Sequence, residues 1–211
     1  MAARTAYHHG NLRPALVAAA LRELAQHGLD ELSLRRVARR AGVSPAAVYR
    51  HFRDKDDLLV AVAAECAERL GAALVAAVAA APDDPLERFR ATGIAVVRFA
   101  VADPEHYRAL SLPGLAARTP PAHLERQRVW QEAQRRALAD AQKRGLIADL
   151  PLDDLLLTAQ ATVNGLAHAI ISGQLGDVDD ARATELAVAV TAVLGEGLVP
   201  RATRKARTSR R

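Results

Sequence analysis

Cysteine, aromatic residues and strand-like alternation are nearly missing from this chain, and each shortage excludes something. A single cysteine, Cys66, cannot build a disulfide framework. It lies in an apolar helical run, where the ordinary role is that of a small buried hydrophobe. Metal-ligand spacing, a nucleophile elbow and a glycine-rich phosphate loop are all absent, which removes the common signatures of enzymes. No catalytic residue, cofactor or metal is therefore expected. His8-His9 is a pair without a third ligand nearby, so it reads as an exposed arm or, less simply, as part of a metal site. Residues 155–176 carry no formal charge, but Thr158, Gln160, Thr162, Asn164, His168, Ser172 and Gln174 interrupt them, so no membrane span is expected. Met1 to Gly10 lacks the apolar core of a secretory leader. With the lone cysteine, this points to a cytoplasmic protein.

What is present is helical. Half of the residues are apolar, alanine is abundant, and the apolar positions recur at helical spacing, which predicts an all-α fold. Asn11 can cap a first helix ending at Gly28, with Leu12, Leu16, Ala20 and Leu24 on its inner stripe. Asp54 can cap a long fourth helix over 55–81, closed by Pro82-Asp83-Asp84-Pro85. Further helices are predicted over 85–101, between Asp103-Pro104 and Pro113-Gly114, over 121–144, from Pro151 to about 172, and from Asp179-Asp180 to about 198. Charge divides the same chain into a head (1–58), a body (59–200) and a tail (201–211). Residues 1–57 hold 10 Lys+Arg against 6 Asp+Glu, residues 58–200 hold 13 against 18, and residues 201–211 hold 6 against none. A basic head on an acidic body suits a phosphate-binding unit. The tail has little to bury and is expected to be disordered, adding nonspecific DNA affinity or having no role.

Within the head, residues 33–59 read as a short helix, a glycine turn and a second short helix. Ser33 can cap a helix whose apolar positions are Leu34, Val37, Ala38 and Ala41. Gly42 sits where the chain must turn, and glycine accepts a left-handed backbone. Ser44 can cap the next helix, with Pro45 at its first position. Val48 and Phe52 then share an inner face, while Ala46, Tyr49, Arg50 and Arg53 share an outer one. That is helix-turn-helix geometry, whose second helix fits the DNA major groove. A solvated amphipathic helix pair is the other reading of the same spacing.

The segment from Tyr7 to about Val62 resembles the amino-terminal domain of TetR-type transcriptional regulators. The resemblance rests on Leu-Ser-Leu-Arg-Arg-Val-Ala-Arg-Arg-Ala-Gly-Val-Ser (32–44), Val-Tyr-Arg-His-Phe (48–52) and Lys-Asp-Asp-Leu-Leu (55–59). Phe99 to Leu110 and Val163 to Ala167 look like a regulatory domain found behind amino termini of the Tyr-His-His-Gly type, here Tyr7 to Gly10. That domain often carries a tryptophan and a His-Gly pair in its eighth helix, where this chain has Gln160 and Asn164-Gly165. The resemblance implies a three-helix DNA-binding domain followed by a helical-bundle domain for ligand binding and dimerisation.

It also implies roles for single residues. Tyr49, His51, Lys55 and the Ser33 end of the second helix would touch backbone phosphates, which position a protein without specifying sequence. Ordinary helix packing is the other role open to Tyr49 and His51. Ser44 would cap the reading helix, and Pro45, Ala46, Ala47 and Arg50 would face the groove or its edge, Arg50 reading guanine or holding phosphate. Arg36 and Arg39 are either further phosphate contacts or a solvated face. Phe99, His106, Tyr107, Trp130, Gln134, Asn164 and His168 are the candidates for a ligand cavity expected between helices four and eight, although each large side chain also suits a core. Gln160, Asn164 and His168 lie on one helical face beside Ala161, Gly165 and Ala169, which suits a homodimer interface through helices near 153–172 and 180–198 or the lining of a cavity. The expected partners are thus a double-stranded DNA operator, a small-molecule effector of unknown identity and a second copy of the chain. The leading functional reading is a dimeric repressor released from a palindromic operator by that effector. The alternatives are a regulator or activator with no small-molecule ligand, and a helical enzyme.

Overall fold

The computed structural model describes residues 12–110 and 118–198. The Asn11 cap, the Tyr7–Gly10 run with its two histidines, the Pro113-Gly114 break and the basic tail lie outside the described residues. Among the described residues there are nine helices and no strand. They are α1 (Leu12–His27), α2 (Leu34–Ala41), α3 (Pro45–Tyr49), α4 (Lys55–Ala80), α5 (Pro85–Ala102), α6 (Pro104–Leu110), α7 (Pro121–Lys143), α8 (Leu152–Ile171) and α9 (Asp180–Leu198). No helix among these residues is long and apolar enough to cross a membrane.

The helix ends follow the chemistry of their caps. Ser33 Oγ accepts the Arg36 N–H at 3.3 Å and opens α2. Gly42 closes it at φ 69°, a left-handed backbone that a side chain would strain, while the Val43 N–H donates to the Ala38 carbonyl at 3.0 Å. Ser44 Oγ accepts the Ala47 N–H at 3.3 Å, and Pro45 begins α3. Asp54 Oδ1 accepts the Asp57 N–H at 2.7 Å and opens α4. Asp84 does the same for α5, accepting from Leu86 and Glu87 at 2.8 and 3.0 Å.

The chain divides into two compact units. The first contains the described residues of Met1–Glu68 and Glu105–Thr119, and the second those of Arg69–Pro104 and Pro120–Arg211. The first therefore extends past residue 58, the expected limit of the head. Cys66 on α4 is buried in the same core as Leu16, Leu24, Val37, Val48, Phe52 and Val62, and Ala109 of α6 joins them. Phe52 is among the largest fully buried side chains, and the Arg13 guanidinium lies 5.1 Å from its ring centroid.

In the second unit α5 is the central element, packed against α7, α8 and α9. Gly93 allows the close approach. A Cβ there would sit 3.1 Å from Val163 of α8 and 3.2 Å from Thr191 of α9. Val97, Val163, Ile170, Ala183 and Ala187 fill one cluster, and Leu138, Ala141, Ile147 and Leu155 another. The small alanines of α9 are what let it lie close to α5.

Candidate nucleic-acid interface

The two short helices α2 and α3 and the start of α4 present one basic surface in the first unit. Val48 and Phe52 bury the inner side of α3, so Ser44, Pro45, Ala46, Tyr49 and Arg50 are exposed together. Tyr49 is 52% exposed, which is unusual for an aromatic side chain in a chain with so few. Ala47 departs from the expected groove-facing set. It is 6% exposed and belongs to the core, because the inner arc of α3 takes in Ala47 as well as Val48. His51 is half-buried.

Beside this face runs an open cleft of about 410 Å³, lined by Ser33, Leu34, Arg35, Tyr49, Arg53, Asp54 and Lys55. Lys55 Nζ donates to the Leu29 carbonyl at 3.1 Å and to the Asp30 carbonyl at 3.5 Å, which anchors the ammonium against the α1–α2 connection. An ammonium has three donors, so one remains for a phosphate oxygen. The Ser33 end of α2 adds the positive end of a helix dipole. Arg35 and Arg53 extend the cationic lining. Arg53, expected on the outer face of the reading helix, lies past the end of α3 at Tyr49, and nothing in the sequence sets Arg35 apart from the other three arginines of α2.

Those four arginines separate in space. Arg35 and Arg39 are exposed. Arg36, expected at a phosphate, instead donates through Nε to Glu23 Oε2 at 2.9 Å and through Nη1 to Glu31 Oε2 at 3.0 Å. Arg40 donates to the other Glu23 oxygen and to Gln26. The i,i+4 spacing of Arg36 and Arg40 turns both toward α1, so their charge is met inside the protein. Glu23 is only 6% exposed. The hydrogen bond from Arg40, with a smaller contribution from Arg36, holds its carboxyl below the usual carboxylate range despite the opposing effect of burial.

At the start of α4 three acids surround Lys55, and each has a cation. Asp57 accepts the Arg53 N–H at 3.1 Å and pairs with its guanidinium at 3.5 Å. Arg118 Nη1 donates to both oxygens of Asp54, at 3.1 and 3.4 Å, and lies 3.7 Å from Asp56. The Asp57 N–H, and after it Arg118, hold the Asp54 carboxyl low.

The seven residues expected to line one cavity are divided between the two units. His106 and Tyr107 are buried on α6, in the first unit, and burial pushes the Tyr107 hydroxyl up. Phe99, Trp130 and Gln134 lie in the second unit. Gln134 Nε2 donates to Thr92 Oγ1 at 3.4 Å, joining α7 to α5. Asn164 and His168 are exposed on the protomer, with Gln160 and Gly165. The buried stripe of α8 is Leu155, Ala159, Val163, Ala167 and Ile170, and one residue further along a helix is about 100° round it. The polar stripe therefore faces away from the interior of its own unit. No group of three His, Cys, Asp or Glu side chains among the described residues is placed to hold a metal ion.

Comparison with known proteins finds two family models along the chain. Residues 16–62 match the family described as bacterial regulatory proteins, tetR family, and residues 89–194 match the tetracyclin repressor-like C-terminal domain. The chain is 29% identical over 172 residues to the HTH-type transcriptional repressor AcnR of Corynebacterium efficiens, a match covering 77% of this chain and 84% of that one. It is 34% identical to a structure of a protein of unknown function from Rhodococcus sp. RHA1, with a TM-score of 0.77 over 93% of this chain and 100% of that one. A TetR family transcription regulator from Marinobacter aquaeolei VT8 superposes with a TM-score of 0.68 at 22% identity, covering 91% of this chain and 97% of that one.

Proposed function

From the premise that this chain belongs to the tetR family of bacterial regulatory proteins, as a DNA-binding regulator of transcription and not an enzyme, we propose that it is a cytoplasmic homodimeric repressor released from a palindromic operator by a small-molecule effector. The observation that carries the reading is the cleft between Ser33, Tyr49 and Lys55, set beside the exposed face of α3. A phosphate in the cleft would fix the register of α3 in the groove, where Pro45, Ala46 and Arg50 meet base edges. Ser44 shapes that end of α3 through its cap, and His51 at the other end supports the phosphate contacts.

Dimerisation is assigned to α8 and α9. Their outward faces carry Leu157, 67% exposed, and Val193, 72% exposed, around the Ala161 and Gly165 stripe. An apolar face with a small-residue stripe suits a second copy of itself about a two-fold axis. Two α3 helices would then stand about one turn of DNA apart, roughly 34–36 Å. An effector held in the body by residues such as Phe99, Trp130 and Gln134 would favour a conformer with a different separation, by as much as its affinities for the two conformers differ. The likeness of Tyr7 to Gly10, Phe99 to Leu110 and Val163 to Ala167 to regulators with Tyr-His-His-Gly amino termini supports assigning the chain to that subgroup.

The phosphate assignment is tested by titrating Tyr49→Ala and Lys55→Ala against an operator and a random duplex at matched salt. Each variant is expected to bind both DNAs about tenfold more weakly, and Lys55→Ala to reduce the salt slope by about one per cleft. Wild-type affinity and slope in both variants would remove the assignment.

A further inference from the structure

The acids at the start of α4 are out of place beside a phosphate seat. Asp54 lines the cleft itself, and Asp56 follows Lys55 directly. Left bare, two carboxylates within a Debye length of an incoming phosphate would repel it. The cation that meets them does not come from the helix-turn-helix. It is Arg118, 64 residues from Asp54 in sequence. Its Nη1 reaches Asp54 at 3.1 and 3.4 Å and Asp56 at 3.7 Å.

The chain holds Arg118 on a stiff support. Thr119, Pro120 and Pro121 follow it, Pro120 has φ −58° and ψ 139°, and α7 starts at Pro121. That backbone is polyproline-like, and two successive prolines restrict it strongly. The side chains of Arg118, Asp54 and Asp56 are all substantially exposed, so the pairing does little for folding stability. Its effect is on the charge that DNA meets.

We propose that Arg118 is a positioning residue for DNA binding, setting affinity by neutralising Asp54 and Asp56 beside the phosphate cleft. The proposal rests on the reading that the cleft seats a phosphate. Withdrawal of the guanidinium exposes both carboxylates and lowers affinity without moving α3.

The test uses the full chain and a random-sequence duplex of about 30 base pairs, since a phosphate effect needs no operator. At about 50 mM salt, Arg118→Gln is expected to weaken binding about fivefold, and the loss to shrink at about 200 mM salt as screening grows. The triple variant Arg118→Gln, Asp54→Asn, Asp56→Asn is expected to recover wild-type affinity or better. Asparagine keeps an oxygen for the Asp57 N–H, so the cap of α4 survives. Arg118→Lys is expected to retain most of the binding, and thermal unfolding of the single variants to stay close to wild type. Lys55→Ala in the same titration separates the two readings. If Lys55→Ala weakens binding and Arg118→Gln does not, the Arg118 assignment is overturned while the cleft stands. If Arg118→Gln is weak and the triple variant is equally weak, neutralisation is overturned. If neither single variant weakens binding, the cleft reading falls and the Arg118 assignment with it.

Discussion

Glu23→Ala is expected to lower the unfolding free energy by about 3 kcal/mol, toward the lower end of what breaking a buried ion pair costs. The Glu23 side chain is 7% exposed, while those of Arg36 and Arg40 are 25% and 24% exposed. Both carboxylate oxygens are used, Oε2 by Arg36 at 2.9 Å and Oε1 by Arg40, with His27 Nδ1 3.4 Å from Oε2. Removing the carboxylate strands two part-buried guanidinium groups, though Arg36 keeps Glu31 and Arg40 keeps Gln26. Those remaining partners keep the cost from being larger. For a chain of this length, about 3 kcal/mol corresponds to a fall in Tm of roughly 6–12 °C. A fall under 2 °C would show that the network does not hold α2 to α1.

Acid tests the same network. The folded carboxyl of Glu23 titrates below its ordinary value of 4.5, so on acidification the unfolded chain takes up the proton first. The stabilisation is therefore whole above that value and is lost as pH falls through the folded value. Glu23→Gln keeps the shape without the charge. The stability gap between wild type and Glu23→Gln is expected to be constant from pH 7 to about 5 and to close below about pH 4.5. A gap that persists unchanged in strong acid would mean the charge of Glu23 contributes nothing.

Gly165→Leu is expected to separate the protomers and to cost at least a hundredfold in operator affinity. Within the protomer a Cβ at Gly165 meets nothing within 4 Å, and the residue is mid-helix, so leucine fits and improves helix propensity. The contrast is Gly93, where a Cβ would press on Val163 and Thr191 of the same unit. Gly165 therefore has no steric reason inside its own protomer, and the proposed α8–α9 interface would supply one. A leucine on that face would hold two α8 helices apart. Each head would then bind DNA alone and lose the effective concentration that a linked second head provides, typically worth 10²–10⁴ in affinity. Sedimentation at micromolar concentration should show a monomer with an intact melting transition. A variant that remains dimeric with wild-type affinity would place the interface elsewhere.

Much of this architecture was legible because its helices are punctuated. Pro82 to Pro85, Pro104, Pro121, Pro151 and Asp179-Asp180 mark boundaries that agree with α4 through α9 within a residue or two. Ser33, Gly42 and Ser44 marked the turn of the reader for the same local reason. What stayed hidden depends on partners distant in sequence. Arg36 and Arg39 carry the same charge on the same helix, and only the placement of Glu23, 13 residues earlier, separates them. One signal was available: Glu23 is an acid beside Leu24 in the apolar stripe of α1. Such an acid calls for a buried cation, and the Arg36–Arg40 spacing supplies two. The grouping of α6 with the first unit carries no comparable signal, because a seven-residue helix shows too little periodicity to reveal what it packs on. The outward turn of Asn164 and His168 was a matter of phase. The stripe 160, 164, 168 and the stripe 155, 159, 163, 167 are both sound helical faces, and only packing against α5 chooses the second as interior.

The central claim is that the exposed face of α3, flanked by its cleft, is one half of a two-fold DNA reader. Selection of the full-length protein on a random duplex library, followed by sequencing of the bound pool, tests it most directly. An inverted repeat is expected to be enriched, with its two half-sites centred about 10 base pairs, or a small multiple of a helical turn, apart. Arg50→Ala is expected to relax preference at one position in each half-site. Enrichment of a single asymmetric site, or no enrichment at a salt concentration where the protein binds DNA, would contradict it.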